Sequence, residues 1–104
     1  MLVVVHTLYT LPGGEKFFTR TALSEKGTKI SLCTAKQYVN AAYSRGGRCS
    51  RKAVQPWEIP SETWEVLKKA PALIHPEAPA IVEKYGRGRA EWLARNQTNQ
   101  EVAN

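Results

Sequence analysis

The sequence predicts an α+β fold, in which an N-terminal three-stranded antiparallel β-meander is packed by one helix and followed by two or three short C-terminal helices. Three observations predict it. Residues 2–33 contain three runs with strand character, separated by two glycine-containing turns. Residues 34–46 then carry both a start and a stop signal for a helix. After the proline-bearing segment 55–60, apolar residues recur at helical spacing.

The first predicted strand covers residues 2–10, which begin with a run of three valines after Leu2. Branched side chains of this kind fit a pleated strand better than a helix. The next four residues, Leu11-Pro12-Gly13-Gly14, suit a type II turn because proline fixes φ and glycine accepts a positive φ. The chain should therefore reverse direction after residue 10.

The second and third predicted strands cover residues 16–23 and 28–33. In residues 28–33, Lys29 and Ser31 point outward and alternate with Ile30 and Leu32. Residues 16–23 place Phe17, Thr19, Thr21 and Leu23 on one face and Lys16, Phe18, Arg20 and Ala22 on the other, a pattern that suits a strand half exposed to water. The sequence SEKG at residues 24–27 forms the turn between them. A short helix over residues 21–26 is the alternative, since Ala22, Leu23, Glu25 and Lys26 are good helix formers.

The helix predicted after the meander has the clearest boundaries. Thr34 and Gln37 have the spacing of a capping box, in which each side chain satisfies a backbone N–H at the helix start. Gly46 offers a stop, because glycine adopts the left-handed conformation without a Cβ clash. The spacing predicts an apolar face that packs on the sheet, formed by Ala35, Tyr38, Val39, Ala42 and Tyr43.

Prolines 56 and 60 predict an extended connector over residues 55–60. It would link a sheet half, residues 1–53, to a helical half, residues 61–95. In the helical half, Ser61 is expected to cap a helix that Pro71 ends. The inward residues of that helix would be Trp64 and Leu67.

A second helix of this half is expected to open at His75-Pro76 and to end at Gly86, and a third to run from Arg89 to Asn96. Residues 1–95 would then form a single small domain. Residues 96–104 are polar and unpatterned, and we expect them to form a flexible tail.

Charge is the strongest indication of function. The 104 residues include 15 Lys and Arg and 9 Glu, giving a formal net charge of +6. Residues 16–52 contain nine basic residues and a single acid, Glu25, whereas residues 53–104 contain six basic and seven acidic residues. So uneven a distribution favours a polyanionic partner, either DNA or RNA, or an acidic protein surface.

The composition weighs against catalysis that depends on a metal. There is no Asp in the chain, and carboxylates, often Asp, hold the metal of magnesium-dependent nucleases, phosphatases and polymerases. Cys33, Cys49, His6 and His75 lack the close-paired spacing of a zinc site. We therefore predict no metal and no cofactor.

Neither histidine has an Asp, Ser or Cys beside it in the sequence, so we predict no catalytic residue and a protein that is not an enzyme. A metal-independent RNase stays open, because His, Lys, Arg and Tyr can activate a ribose hydroxyl. The apolar run at residues 2–5 is too short for a signal peptide or a membrane span. We expect a cytoplasmic protein with reduced cysteines and no membrane partner.

The residues predicted to contact the partner are basic. Their densest group lies in a predicted loop over residues 45–52 after the first helix, where arginine side chains could bind phosphate through two parallel hydrogen bonds. Tyr38 and Tyr43 could add faces on which bases stack, although their spacing favours core packing. The predicted contact residues are Lys36, Arg45, Arg48, Arg51, Lys52, Arg87, Arg89 and Arg95.

Residues 81–96 resemble a helix-turn-helix in outline, with Gly86 at the turn. The resemblance implies that Arg89 and Arg95 face a groove and that Arg87 lies near a phosphate. Arg95 stands where the motif would have an inward apolar residue, and a plain helical hairpin is the alternative. The sequence Arg87-Gly88-Arg89 is also similar to the minor-groove hook of small architectural proteins, except that alanine follows it instead of proline.

Two functions follow from these observations. The first is a small basic nucleic-acid-binding protein with a regulatory or accessory role. The second is an inhibitor or adaptor of the phage or mobile-element type, which docks its basic face on an acidic surface or in a nucleic-acid channel of a larger enzyme.

Overall fold

A computed structural model describes the backbone of residues 1–44 and 47–103, and the side chains of residues 1–44 and 47–96. The predicted α+β class is confirmed. A 3-10 turn, Pro56–Glu58, precedes the last two helices. The strands and α-helices in chain order are β1 (Val3–Thr10), β2 (Lys16–Ser24), β3 (Gly27–Cys33), α1 (Ala35–Tyr43), β4 (Arg48–Ala53), α2 (Ser61–Lys69) and α3 (Ala78–Ala103).

The strands form one sheet in the order β3-β2-β1-β4. The predicted antiparallel meander of β1, β2 and β3 is confirmed, and residues 21–24 continue β2, so the short helix considered there does not form. The prediction of a loop over residues 48–52 is wrong. These residues belong to β4, which pairs in parallel with β1 and forms an edge of the sheet.

Both reversals of the meander use a glycine with positive φ. In the first turn, Gly14 N donates to the Leu11 carbonyl oxygen at 2.9 Å, and the positive φ of 89° falls on Gly14. In the second, Gly27 has a φ of 130°. A side chain at either position would strain the backbone, so these glycines set where β2 begins and where β3 begins.

The apolar core lies on one face of the sheet, which we call the core face. There the rings of Tyr9 and Phe17, from neighbouring strands, stack with their centroids 4.9 Å apart. Trp64 and Leu67 of α2 and Ile81 of α3 pack against them. Residues from both predicted halves therefore bury their apolar side chains in one core, which holds α2 and α3 on this face.

The opposite face of the sheet carries α1, and we call it the α1 face. The ring of Tyr38 lies 5.2 Å from that of Phe18, centroid to centroid, and its hydroxyl donates to the Ser50 carbonyl oxygen at 3.1 Å. The predicted capping box is confirmed: Gln37 N donates to Thr34 Oγ1 at 3.2 Å, and Thr34 N donates to Gln37 Oε1 at 2.8 Å.

The predicted apolar face of α1 is largely wrong. Tyr38 is its only buried residue, whereas Val39 is 48% exposed and Tyr43 is 87% exposed. A short helix lying on a sheet needs only a narrow buried stripe, and a single tyrosine provides it here. The helix ends at Tyr43, and the stop predicted at Gly46 lies outside the described residues.

The predicted helix with Trp64 and Leu67 inside is confirmed as α2, and both residues are buried. Pro60 occupies the capping position predicted for Ser61, which is the first helical residue instead. Glu62 in the first turn and two lysines in the last turn complement the helix dipole.

The predicted break at Gly86 is wrong, because α3 is one continuous helix from Ala78 to Ala103. A Cβ placed at Gly86 would meet Trp64 only at 3.7 Å. The helix-turn-helix outline and the plain hairpin therefore both fail, since neither has its turn. The backbone is helical through most of the segment 96–104, and its predicted flexibility stays a prediction.

Candidate functional site

Acidic and basic side chains occupy different parts of the fold. None of the four strands and no part of α1 contains an acidic residue. The described residues form three ion pairs, in which Glu15 binds Lys84 at 3.2 Å, Glu65 binds Lys68 at 3.5 Å and Glu25 binds the N-terminal ammonium at 3.4 Å. The eight described lysines and arginines between residues 16 and 52 take part in none of these pairs, so they stay available for an anionic partner.

Three of the predicted contact residues, Arg48, Arg51 and Lys52, are exposed on the edge strand β4. The register pairs Leu8 with both Phe18 and Arg51, which places Arg51 on the α1 face, and strand alternation places Arg48 and Lys52 on the core face. Arg45 lies outside the described residues. The predicted loop cluster is thus an edge strand that presents positive charge to both sides of the sheet.

The α1 face carries further cations that the sequence did not select. Lys36, which was predicted, is exposed on α1 itself. Strand alternation adds Lys16 and Arg20 of β2 and Lys29 of β3, because they share the pleat of Phe18. The alternation in β2 was visible in the sequence, but it did not show that a helix would cover that side. The cations on this side of the molecule are Lys16, Arg20, Lys29, Lys36 and Arg51.

Tyr43, for which the sequence favoured core packing over base stacking, does not pack in the core. It occupies the last residue of α1, just before the chain enters β4, and 87% of its surface is exposed. An exposed aromatic ring on a helix that packs on a sheet face bearing cations and lacking acids is a combination typical of nucleic-acid-binding surfaces. Tyr38, its predicted counterpart, packs on the sheet as its spacing indicated.

Arg89 was predicted to contact a partner, which requires an exposed side chain. Its side chain is buried, and its Nη2 donates to the Ile59 carbonyl oxygen at 3.1 Å and to Ser61 Oγ at 3.4 Å. Its guanidinium also lies over the ring of Trp64. Arg89 is therefore a packing residue that fastens α3 to α2, and the prediction that it binds a partner is corrected.

Arg87 and Arg95 are exposed on α3. Because α3 packs on the core face, the sheet separates these two arginines from α1 and from Lys36. The structure therefore does not join the two predicted contact regions into one surface. The α1 face, together with β4, is the site that the fold assembles.

The two histidines occupy different settings. His75 is buried edge-on to the ring of Phe17, with centroids 6.4 Å apart, and burial lowers its pKa. His6 is half-buried on the α1 face, where burial and then the charge of Arg20 lower its pKa. Within the described side chains, no three His, Cys or Glu residues come together as metal ligands. None of the described helices is both long enough and apolar enough to cross a membrane.

Comparison of the chain with protein-family models, with curated proteins and with solved structures gave no match.

Proposed function

We propose that this protein binds nucleic acid through the α1 face and β4, without catalysis, and that it prefers strands whose bases are unstacked. One observation carries the proposal: Tyr43 is almost fully exposed on a helix that shares its side of the molecule with unpaired cations and no acidic residue of any strand. Lysine and arginine attract the phosphate backbone, and a tyrosine ring offers a face to a base.

The parts of this surface have separate tasks. Arg51 supplies a planar guanidinium that can hold two oxygens of one phosphate, while Lys36 supplies a mobile point charge. Tyr43 stacks on a base, which requires that base to be free of its duplex neighbours. Single strands, loops and ends satisfy that condition, whereas a closed duplex does not.

Binding is tested by fluorescence anisotropy with end-labelled single-stranded RNA, single-stranded DNA and duplex DNA of one length. We expect the single strands to bind more tightly than the duplex. Affinity should also fall steeply between about 50 and 200 mM salt, because bound cations release counterions from the strand. Absence of binding to all three probes at low salt would overturn the proposal.

A charge-matched pair of variants separates a specific surface from net charge. Arg51→Gln removes one positive charge from the α1 face, and Lys68→Gln removes one from α2, where Lys68 pairs with Glu65. Both variants have the same net charge. We expect the first to weaken binding severalfold and the second to leave it nearly unchanged. Equal effects would mean that the α1 face has no special role.

A protein partner is the second candidate, and one observation favours it. Val39 and Tyr43 are both exposed and stand four residues apart, so they lie side by side on the outer surface of α1. An apolar pair within a basic rim is also the anatomy of a protein interface, which suits an inhibitor or adaptor docking on an acidic surface. Affinity capture after nuclease treatment tests this, with Val39→Ser as the variant. A stoichiometric partner lost in the variant supports the adaptor, and recovery of nucleic acid alone contradicts it.

A further inference from the structure

Four side chains form one line across the sheet on the α1 face. The register pairs Ser31 of β3 with Arg20 of β2, Arg20 with His6 of β1, and His6 with Cys49 of β4. Neighbouring strands lie about 4.8 Å apart, so the side chains of Ser31, Arg20 and His6 stand within reach of one small ligand. Cys49 is turned away, because its Sγ contacts the Tyr38 carbonyl oxygen at 3.7 Å.

The three polar side chains lack hydrogen-bond partners. Within the part of the chain that the structure describes, no hydrogen bond or ion pair engages the Arg20 guanidinium or the Ser31 hydroxyl. His6 Nδ1 is buried without a partner, which leaves Nε2 as the ring nitrogen that is open to a ligand. All three residues are half-buried. The Arg20 guanidinium and the Ser31 hydroxyl are not among the buried polar atoms, so they reach solvent and are accessible to a ligand. A charged or neutral hydrogen bond from such groups to an anion is favourable when the anion accepts from several of them at once.

The chemistry of the three groups selects the ligand. Arginine donates only, while an imidazole N–H and a hydroxyl can donate beside it. Three donors in adjacent register positions on one face of a sheet without carboxylates match an anion with several oxygens, and a tetrahedral phosphate offers acceptors in several directions. Burial and then the charge of Arg20 lower the pKa of His6, and the neutral imidazole keeps one N–H that can donate to an anion bound beside Arg20.

We infer that Arg20, His6 and Ser31 form a seat for one phosphate group, and that it holds a backbone phosphate of the strand that binds the α1 face. The claim that the seat holds a backbone phosphate of a bound strand rests on the proposed function, whereas the claim that it binds a phosphate group does not. The seat fixes the position of the strand on the sheet, whereas Arg51 and the exposed lysines contact further phosphates of the strand.

The seat is tested first with inorganic phosphate alone. NMR spectra of the full chain would follow the Arg20 Nε and the His6 imidazole during a phosphate titration, and a chloride titration at matched ionic strength gives the baseline. We expect saturable shifts of both signals with phosphate. Equal responses to phosphate and chloride, or shifts spread over all basic residues, would overturn the seat.

Variants then separate the seat from general charge. We expect Arg20→Gln to weaken phosphate binding about tenfold, since a charged hydrogen bond is lost. Arg20→Lys should recover only part of it, and the charge-matched Lys68→Gln, on α2 away from the α1 face, should retain it. Melting curves establish that each variant is folded, and Arg20→Lys serves as the readout if Arg20→Gln does not fold. A loss for Lys68→Gln as large as that for Arg20→Gln contradicts the inference.

The same variants distinguish the two proposals with oligonucleotides. Phosphate binding without oligonucleotide binding keeps the seat and contradicts the proposed function. Oligonucleotide binding that Arg20→Gln leaves unchanged keeps the proposed function and contradicts the backbone-phosphate role of the seat. A parallel loss of both in Arg20→Gln supports the full inference.

Discussion

The guanidinium carbon of Arg89 lies 5.1 Å from the centroid of the Trp64 ring. The same guanidinium donates to the Ile59 carbonyl oxygen at 3.1 Å. A cation over an aromatic face and a charged hydrogen bond to a buried carbonyl both stabilise the fold. Arg89 thus joins α3 to α2, although two positions away Arg87 points to solvent on the same helix.

Replacing Arg89 should therefore affect stability and leave binding intact. We expect Arg89→Met to lower the free energy of unfolding by about 2–4 kcal/mol, because the Ile59 carbonyl loses its donor. Urea denaturation measures this. Arg87→Met is the matched control and should change stability by less than about 0.5 kcal/mol. A folded Arg89→Met protein with weakened oligonucleotide binding would contradict this assignment.

Tyr43 should show the opposite behaviour. Its ring is exposed, so Tyr43→Ala should leave the melting temperature nearly unchanged. If the ring stacks on a base, oligonucleotide affinity should fall by about 1–3 kcal/mol. Tyr43→Phe keeps the ring and should retain most of the affinity. The stacking role fails if anisotropy titrations give the alanine and phenylalanine variants the same affinity.

Stability at acid pH should depend on Glu15. The Tyr85 hydroxyl donates to Glu15 Oε2 at 2.5 Å, and Lys84 Nζ lies 3.2 Å from Oε1. These hydrogen bonds, that from Tyr85 first, lower the pKa of Glu15 from its usual 4.5. The unfolded chain therefore binds a proton more readily. The stabilisation is complete above about pH 5 and is lost as the pH falls through the lowered pKa.

Glu15→Gln removes this titration. We expect wild type to be more stable than the variant at neutral pH, and the difference to shrink as the pH falls below about 5. Urea denaturation at a series of pH values measures it. Tyr85→Phe removes the largest cause of the shift, so its own pH dependence should be shallower than that of wild type. Parallel curves for all three proteins would rule out this role of Glu15.

The meander could be predicted from the sequence because the signals that define it lie close together in the chain. The face patterns of the strands and the two turn glycines all lie within residues 2–33. The strands can therefore be predicted without any tertiary contact. β4 has no such pattern: Arg48–Ala53 reads RCSRKA, and only Cys49 and Ser50 are partly buried. Its strand character comes from pairing with β1, a contact that composition does not encode.

The break predicted in α3 illustrates tertiary contacts overriding propensity. A glycine inside a helix costs about 1 kcal/mol relative to alanine, so Gly86 and Gly88 favour a turn on local grounds. The contacts made by residues before and after these two glycines oppose a turn and keep the helix continuous. Ile81 and Tyr85 before the glycines and Arg89 after them fall on one helical face, and all three contact the core or α2 only if the helix continues.

The sequence was sufficient to predict that the candidate site is basic, but it did not show which basic residues lie together. Clustering of cations in residues 16–52 was plain from the sequence, and the structure leaves the described ones without ion pairs. Which of them share a face depends on the register of four strands. That register brings Arg20 beside His6, although they are 14 positions apart and no spacing rule connects them.

Cys33 should be the less reactive of the two cysteines. Burial, followed by the charge of Cys49, raises the pKa of the Cys33 thiol to about 11. At pH 8 only about one thiol in a thousand would be the reactive thiolate. The Cys49→Ser variant retains Cys33 and the burial that is the larger cause of its raised pKa, although it removes the smaller one. Its alkylation should still be at least about tenfold slower than that of Cys33→Ser, which retains the half-exposed Cys49.

The pH dependence of alkylation separates the two causes of slow reaction. If a high pKa limits Cys33, its rate should rise about tenfold per pH unit from pH 8 to pH 10, because the thiolate fraction rises in proportion. If access alone limits it, the rate should stay nearly flat until the fold opens. Both variants should react alike in strong urea, where neither thiol is buried. A Cys33 that is alkylated in the native protein as fast as Cys49 would show that β3 and α1 do not bury its thiol.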